Sequence, residues 1–478
     1  MTRRQPTMTK TEAKQFDKLL AGEIFTSSEI QMNLEILCDD LGSRFAGTQA
    51  EAEAAQFLQA KLEEYQLDDV HSEEFEYNGW TRGTAELTVT APWQRALPCL
   101  SMPMSPPGRA SGRIIDLGTG SPETFEALKG ELAGNIALVN IANPTSANRW
   151  IHRTEKYNRS ILADAKAFIF MGNEDGYGPV TGALGFNQWG LIPGIMISKE
   201  TGTLLQRAIR RKGFVEAEVQ TNDTISKKIS WNIIGDVKGS SVSEEMVVIG
   251  VHYDGHDISQ GAEDPASGLV AGLEIARAMG IYADQLKRQI RFILFGVEEL
   301  GLIGAHAHVD SHPGDIARTR FMFNLDAAGS KARKGLMVYG PDSREYFRAM
   351  GKRMNENLLV DVDAFPHREP DHLSSDHYPF MASGVPCGFI RDPYIFQWPG
   401  FYHTAHDTVD KINLLNVKQA AFLCARLAWR IANDDHWPFK RLSGEKLAEA
   451  RAENDKAEVR LVEKAIEAFR RKQEGTAK

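Results

Sequence analysis

The sequence predicts an α/β fold with a mixed, mostly parallel sheet that is flanked by helices and interrupted by a β-rich insertion. The first observation is a series of short, unbroken apolar runs with β-branched residues, which is typical of strands buried on both faces. The second is helical spacing of apolar residues after several of these runs. The third is a change of sequence pattern over residues 83–228, where short β-like runs alternate with turns rich in Gly, Pro and Asn.

The first two predicted regions are the start of a main domain and the insertion. Residues 1–82 begin the main domain and include a predicted helix over 52–65, and residues 83–228 form the insertion. The β-like runs of the insertion lie at residues 112–120, 134–142, 165–172 and 192–198.

The remaining two regions complete the chain. Residues 229–440 finish the main domain, and residues 441–478 form a helical extension. Apolar residues of the extension are spaced for one face of a helix at Val459, Val462, Ile466 and Phe469. We expect this helix to pack on the body of the protein, with a dimer contact as the alternative.

Four apolar runs in the main domain are the predicted strands of the sheet, at residues 246–251, 289–296, 320–325 and 385–390. A helix is predicted over 267–279 and another over 300–309. Residues just past the carboxyl ends of parallel strands meet in one crevice, where α/β proteins bind their ligands. Side chains that follow these runs are therefore candidates for a common site.

Acidic and imidazole side chains follow the runs in order. His252 and Asp254 follow the first strand, Glu298 and Glu299 the second, and Asp326 the third. His403 comes after the fourth strand, and Asp264 lies before the first predicted helix. The five potential metal ligands are His252, Asp264, Glu299, Asp326 and His403.

Each of these residues alone is explained as well by a helix cap, a turn or a satisfied polar group. Together, two imidazoles and three carboxylates match the needs of two borderline divalent ions that share one carboxylate. A cis Asp264-Pro265 bond would turn the shared carboxylate between the ions, although an ordinary Asp-Pro turn accounts for the same residues. Asp254 is a candidate acceptor for the second ring nitrogen of His252, with a solvated loop acid as the alternative.

Composition limits the class of protein. The chain has 478 residues, 42% of them hydrophobic, and a formal charge of -9. This charge argues against nucleic acid or anionic membranes as partners. We find neither an apolar run long enough for a bilayer nor a secretory signal, and the four cysteines lie far apart, so we expect a cytoplasmic protein with reduced thiols.

Several segments resemble the co-catalytic dizinc aminopeptidases, the family that also holds aminopeptidase Y, carboxypeptidase Q and the glutamate carboxypeptidases. The segments are His252-Tyr253-Asp254, Gln260-Gly261-Ala262-Glu263-Asp264, Gly296-Val297-Glu298-Glu299-Leu300-Gly301, Asn324-Leu325-Asp326, Ser375-Asp376-His377-Tyr378-Pro379-Phe380, Tyr402-His403-Thr404 and Asp407-Thr408. Residues 252–268 look most like the carboxypeptidase Q branch. Pro265 departs from the Asp or Asn that is usual in the family, which affects the local hydrogen bonds.

The resemblance implies a zinc-exopeptidase fold and a pair of Zn²⁺ ions per chain, with Co²⁺ or Mn²⁺ as other possible ions. One zinc would lie on His252, Asp264 and Asp326. The other would lie on Asp264, Glu299 and His403. Glu298 would be the catalytic acid/base, and Asp254 is counted with the catalytic residues as the candidate partner of the His252 ring. The insertion resembles the protease-associated domain of this family, which would cover the site or limit substrate size, or else be a passive spacer.

The function predicted from the resemblance is metal-dependent hydrolysis of N-terminal residues from peptides. Two bound ions would activate a water, and Glu298 would take its proton and return it to the leaving amine. Three alternatives remain: a dipeptidase or carboxypeptidase, a glutaminyl-cyclase-like acyltransferase, and a non-catalytic binding protein. The predicted partners are peptide substrates, and a homodimer is possible.

Other residues receive weaker predictions. His306 and His308 are two apart on a predicted helix and face different ways, so we expect surface or packing roles. His377 is predicted to support the site or face substrate, with a structural role as the alternative, and His256 and His406 are candidates for its entrance. Phe396, Trp398 and Phe401 are predicted to form an apolar pocket wall or part of the core.

Overall fold

The structure is a computed structural model that describes residues 10–147, 149–240, 243–330, 335–339, 344–355, 375–391, 399–453 and 457–476. The α-helices are α1 Lys10–Thr26, α2 Ile30–Glu35, α3 Gln49–Glu64, α4 Pro122–Leu132, α5 Arg153–Leu162, α6 Lys199–Lys212, α7 Ser267–Ile281, α8 Ile303–Ser311, α9 Pro313–Arg318, α10 Arg344–Asn355, α11 His377–Ala382, α12 Leu414–Asn433, α13 Gly444–Glu453 and α14 Ala457–Thr476. Short π-helical turns are Ile36–Asp40 and Ala262–Ala266, and 3₁₀ turns are Ala283–Gln285 and Val409–Lys411.

The strands are β1 Asp68–Thr81, β2 Ala85–Ala91, β3 Arg95–Leu97, β4 Leu100–Ser101, β5 Gly108–Asp116, β6 Ile136–Asn140, β7 Ala167–Met171, β8 Gly194–Ile197, β9 Glu216–Thr221, β10 Thr224–Val237, β11 Met246–His252, β12 Gln289–Phe295, β13 Thr319–Asn324, β14 Gly335–Tyr339 and β15 Cys387–Arg391. They form two mixed sheets. Helices flank the sheets, which confirms the predicted mixed α/β class.

The first sheet has seven strands in the order β1-β10-β12-β11-β13-β15-β14. Its four central strands, β12, β11, β13 and β15, are parallel to one another. The outer pairings β1 with β10, β10 with β12, and β14 with β15 are antiparallel. The prediction of a mostly parallel sheet is therefore correct only for the centre, because antiparallel strands extend the sheet on both sides.

The central strands are buried on both faces, as their apolar sequences predict. Along β11, Val247, Ile249 and Val251 enter the core that contains α1, α2, α3, α7 and α12. Met246 and Val248 alternate with them and enter a second core with α8, α9 and α11. This period of two, with apolar residues on both phases, accounts for the unbroken apolar run.

The helix that was predicted to begin at residue 300 begins three residues later. Val297 and Leu302 have φ of 59° and 57°, and Gly301 has φ of 122°. A left-handed backbone cannot continue a right-handed helix, so α8 starts only at Ile303. Glu298 and Glu299 consequently lie in a loop and not in the first turn of a helix.

The second sheet has eight strands in the order β3-β2-β9-β5-β6-β7-β8-β4, all from residues 85–221. Strands β5, β6, β7 and β8 are parallel, and β9 pairs with β5 and β2 in antiparallel fashion. The long antiparallel pair β1 and β10 leads into and out of this sheet. The chain thus completes the second sheet before it returns to the first.

The C-terminal helix α14 packs on the second sheet's side of the molecule. Ile466 is buried in the same apolar core as Tyr157, Phe168 and Phe170, and Phe469 contacts that core. This packing is the predicted body contact of the extension. Among the described residues, no helix is both long and apolar enough to cross a membrane.

Candidate metal centre

The strand order brings the predicted ligand residues to one edge of the first sheet. His252 is the last residue of β11, and Glu299 and Asp326 follow the neighbouring strands β12 and β13. His403 belongs to the loop after β15, and Asp264 lies in the π-helical turn that precedes α7. All five predicted ligands therefore meet in one crevice at the carboxyl ends of the parallel strands.

Asp264 presents one carboxylate oxygen to each imidazole. His252 Nε2 lies 3.2 Å from Asp264 Oδ1 and 3.3 Å from Asp326 Oδ1. His403 Nε2 lies 3.2 Å from Asp264 Oδ2 and 3.6 Å from Glu299 Oε2. Ligand atoms about 2.0–2.2 Å from one tetrahedral zinc stand roughly 3.3 Å apart, so these atoms have the spacing of two ligand sets that share Asp264.

The charge balance of the crevice fits two divalent cations. Asp264 Oδ1 and Glu299 Oε1 are buried and receive no hydrogen bond of regular geometry from the described residues. Burial, helped by the charges of Asp264 and Asp254 and opposed by His403, raises the pKa of Glu299 to about 8. Burial also raises the pKa of Glu298, with added effect from Glu299 and Asp376. Buried carboxylates that repel one another in this way favour a cation between them.

Glu298 lies beside the first ligand set. Its ligand atom and those of His252 and Asp326 are within 4.8 Å of one another. Glu298 is half-buried, whereas Glu299 is only 5% exposed. The two adjacent glutamates thus differ in access to the open side of the crevice, as expected when one faces a metal and the other a reacting group.

Asp254 holds the glutamate loop rather than the His252 ring. Its carboxylate accepts hydrogen bonds from the backbone N–H groups of Glu298 at 2.8 Å and Glu299 at 3.2 Å. His252 Nδ1 lies 2.9 Å from the backbone carbonyl oxygen of Asp254 and 3.7 Å from its carboxylate. The residue predicted to orient the imidazole does so through its main chain, which leaves its side chain free for the loop.

The segment around Asp264 is held by Asp407 and by close packing. The Asp264-Pro265 bond is cis. The Asp407 carboxylate accepts hydrogen bonds from the backbone N–H groups of Glu263 at 2.7 Å and Asp264 at 3.1 Å. A Cβ added to Gly268 would lie 1.6 Å from the Leu325 carbonyl oxygen, so only glycine permits this approach of α7 to the strand end.

Backbone strain is concentrated in the loops of the site. Val297, which precedes Glu298, has φ of 59°, and His403 has φ of 56°. Ser375 has φ of 102°. Positive φ is uncommon for residues with a Cβ and unfavourable for a β-branched valine, and such strain is typical of functional loops that the surrounding structure over-determines.

Sequence reasoning placed His256 too far from the chemistry and gave Asp376 no role of its own. His256 was predicted near the entrance, but it is buried with Nε2 2.9 Å from Glu299 Oε2, and its ring packs edge-on against His403 at 4.2 Å. Asp376 is fully buried, and burial raises its pKa well above the usual range. Neither residue follows a strand directly, so the strand-end pattern gave no signal for them, although Asp376 lies in a segment that carries the family resemblance.

The insertion borders the same crevice. The Thr181 backbone N–H donates to the His403 carbonyl oxygen at 2.8 Å, and His403 Nδ1 lies 3.3 Å from the Thr181 carbonyl oxygen. Arg153, at the start of α5, donates from Nε to the Ala183 carbonyl oxygen at 2.9 Å. Burial lowers the pKa of Arg153, and the charges of Tyr402, Glu299 and Glu298 oppose this effect, so Arg153 interacts electrostatically with the acidic cluster.

The remaining predicted residues have mixed outcomes. His377 is buried and stacks on Phe389 with ring centroids 5.7 Å apart. His406 packs edge-on against Tyr177 of the insertion at 5.6 Å. Phe401 is 9% exposed, whereas Phe396 and Trp398 of the predicted pocket wall lie outside the described residues.

Comparison with known proteins identifies the family. The model of peptidase family M28 matches residues 232–428, the region that carries all five predicted ligands. The chain is 28% identical over 424 residues to aminopeptidase YwaD of Bacillus subtilis, with 87% of each chain covered. It is 25% identical over 413 residues to carboxypeptidase Q of Mus musculus, covering 84% of this chain and 85% of the relative.

A solved structure gives the same result. A zinc aminopeptidase from Bacillus subtilis is 26% identical and superposes with a TM-score of 0.65, over 91% of this chain and 97% of the other. A peptidase family M28 region thus spans residues 232–428 of the chain. This confirms the predicted family and the prediction that the M28 chain is a metallopeptidase.

Proposed function

We propose that this M28 chain is a two-zinc exopeptidase that removes N-terminal residues from peptides. The observation that carries the proposal is the position of Asp264, which presents one oxygen to His252 and the other to His403 at 3.2 Å each. The relatives described as aminopeptidases, one of them a zinc enzyme, support the same activity.

The ligand sets follow from the two imidazoles. His252, Asp264 and Asp326 would hold one Zn²⁺, and Asp264, Glu299 and His403 would hold the other. His256 Nε2, 2.9 Å from Glu299, gives the second set an additional nitrogen within reach. Two ions of this kind, when bound, lower the pKa of a water and polarise a peptide carbonyl.

Glu298 is the proposed general base. It takes the proton of the attacking water and then donates it to the leaving amine, so one carboxyl serves both steps. Its backbone is fixed by Asp254, and its side chain is the more accessible of the two adjacent glutamates. Glu299 is thereby left to bind metal.

We propose that residues 83–228 form a protease-associated domain that limits the length of the substrate. Contacts between Thr181 and His403 and between Tyr177 and Phe401, whose ring centroids are 6.5 Å apart, support this role. A domain that touches the ligand loop on one side of the crevice leaves room for a chain end more readily than for a long polypeptide.

A carboxypeptidase or dipeptidase activity is the second candidate, and Arg153 favours it. The half-buried guanidinium of Arg153, which interacts electrostatically with the acidic cluster, is suited to bind the free carboxylate of a short peptide, because arginine forms bidentate hydrogen bonds with carboxylates. The similarity to carboxypeptidase Q supports the same reading.

Product analysis distinguishes these activities. The purified enzyme is incubated with peptides that carry free or acetylated amino termini, with and without chelator, and products are followed by mass spectrometry. Chelator-sensitive release of single residues from free amino termini supports the aminopeptidase. Release from the carboxyl end, or cleavage of dipeptides alone, selects the second candidate. Absence of cleavage contradicts both and favours a cyclase-like or binding function.

Arg153→Met tests the carboxylate role directly. The variant is compared on a dipeptide and on the same dipeptide with an amidated carboxyl end. If Arg153 binds the carboxylate, the variant raises KM for the free dipeptide by about 10-fold or more and leaves the amide unchanged, which corresponds to roughly 1.4 kcal/mol. Equal effects on both substrates would assign Arg153 to the structure of the insertion.

A further inference from the structure

A second cluster of imidazoles surrounds a carboxylate on the outer edge of the first sheet. Glu73 lies on the edge strand β1, and His308 and His312 lie at the end of α8 and just after it. His308 Nδ1 is 2.9 Å from Glu73 Oε2, and His312 Nε2 is 2.8 Å from Glu73 Oε1. The cluster shares no residue with the catalytic crevice.

The spacing and burial of these side chains suit a metal ion. His308 and His312 are four residues apart, which puts both imidazoles on the same side of a helix end. The exposed fractions of the side chains are 0% for His308, 16% for Glu73 and 38% for His312. The cluster is thus walled by protein on the His308 side and open to solvent on the His312 side.

A third imidazole, that of His71, faces the same carboxylate. His71 Nδ1 is 2.7 Å from the Asp69 carbonyl oxygen, which can only accept, so Nδ1 donates there and Nε2 is the ring nitrogen left for a metal. His71 Nε2 lies 3.8 Å from Glu73 Oε1, on the same face of β1. The three imidazoles thus converge on one carboxylate.

The carboxylate is ionised and ready to act as a ligand. Although burial raises the pKa of Glu73, the hydrogen bond from His308 and the charges of His308 and His312 lower it below its ordinary value. Imidazole and carboxylate together are the ligand types that borderline divalent ions such as Zn²⁺ prefer.

We propose that Glu73, His308 and His312 form a further Zn²⁺ site, with His71 as the fourth ligand. The ion would join the edge strand β1 to the end of α8. Its expected effect is on stability rather than on turnover, because none of the four side chains faces the crevice in which peptides would bind. The proposal does not depend on the proposed function.

Zinc stoichiometry tests the site. The enzyme is loaded with Zn²⁺, freed of excess metal, and compared by elemental analysis and calorimetric Zn²⁺ titration with His312→Gln. The matched control is His306→Gln, which alters an exposed histidine of the same helix. The wild-type and His306→Gln proteins are expected to bind one more ion per chain than His312→Gln. In His312→Gln, the affinity for that ion is expected to fall by more than the ~10- to 100-fold typical of losing an outer-shell partner.

Thermal unfolding provides a second readout. Added Zn²⁺ is expected to raise Tm of the wild type and of His306→Gln more than Tm of His312→Gln and Glu73→Gln, which keep only the part of the rise due to ions bound in the crevice. Equal zinc content and equal Zn²⁺-induced Tm shifts in all four proteins would overturn the proposal and reduce the cluster to hydrogen bonds alone. Because the comparison is a difference between variants, a failure of the catalytic ligand sets does not change it.

Discussion

The Asp254 carboxylate accepts the backbone N–H of Glu298 at 2.8 Å. This bond joins the loop after β11 to the loop after β12, on adjacent strands of the sheet. It fixes the main chain from which the proposed general base projects, across a residue with positive φ at Val297. The position of the Glu298 side chain therefore depends on an acid that need not touch substrate.

Asp254→Asn tests this positioning role. The amide can accept only one of the two N–H groups and directs its own NH₂ at the other, so we expect kcat to fall about 10- to 100-fold, as for outer-shell residues in general, with KM and metal content nearly unchanged. Peptide hydrolysis rates and elemental analysis measure this. Asp310→Asn, on the exposed face of α8, is the control, and an equal loss in both would contradict the assignment.

Glu298→Gln is expected to retain metal and lose most turnover. The amide preserves the shape of the side chain but cannot take a proton from water, and general acid-base catalysis contributes about 10²- to 10⁴-fold. Steady-state kinetics on a single peptide and metal analysis of the same sample give the two readouts. Turnover close to that of the wild type would mean that a group other than Glu298 takes the proton from water.

Asp264→Ala is expected to lose metal as well as activity. This side chain supplies an oxygen to each ligand set, so its removal weakens both sets at once. Metal content after dialysis is the measurement, with Asp257→Ala as a control from the same segment outside the ligand sets. Full occupancy in Asp264→Ala would show that the shared carboxylate is not a ligand.

Glu51→Gln is expected to stabilise the fold increasingly as pH rises. Glu51 Oε2 accepts the Gly47 N–H, and Ser230 hydrogen-bonds the other oxygen. Burial raises the pKa of Glu51 to about 8, above that of the unfolded chain. Its contribution to stability is therefore fully present below the unfolded pKa of about 4.3 and is lost as pH rises through the folded pKa.

Glutamine reproduces the protonated carboxyl at every pH. The difference in Tm between variant and wild type should be small near about pH 5 and grow toward about pH 9. Thermal unfolding across this range measures it. A Tm difference that is constant with pH would mean that Glu51 is ionised in the folded protein at neutral pH.

The catalytic half of the fold was largely predictable because its strands are buried on both faces. Such strands are unbroken apolar runs, and their carboxyl ends point to one edge, so His252, Asp326 and Glu299 were placed by strand order alone. The antiparallel strands at the two sides were harder to predict. β1, with the sequence DDVHSEEFEYNGWT, is half exposed. Its many polar residues leave no apolar run that would predict a strand.

Other errors arose from contacts between distant segments. The helix after Glu299 starts late because Val297, Gly301 and Leu302 have positive φ. No local sequence pattern predicts this conformation for valine or leucine. His256 reaches the site because the loop after β11 folds back on His403. The cytoplasmic location, the dimer and the domain boundaries remain predictions.

Thr181 makes two contacts with His403, one between the two main chains and one from its carbonyl oxygen to the imidazole ring. Fixing His403 on an ion restricts the same loop that anchors residues 83–228, so metal binding and docking of this region are linked. Linkage is reciprocal: the factor by which docking of residues 83–228 raises the affinity for metal is the factor by which bound metal raises the docking equilibrium constant. Chelation should accordingly loosen residues 83–228 and speed their hydrogen exchange, although they contribute no ligand.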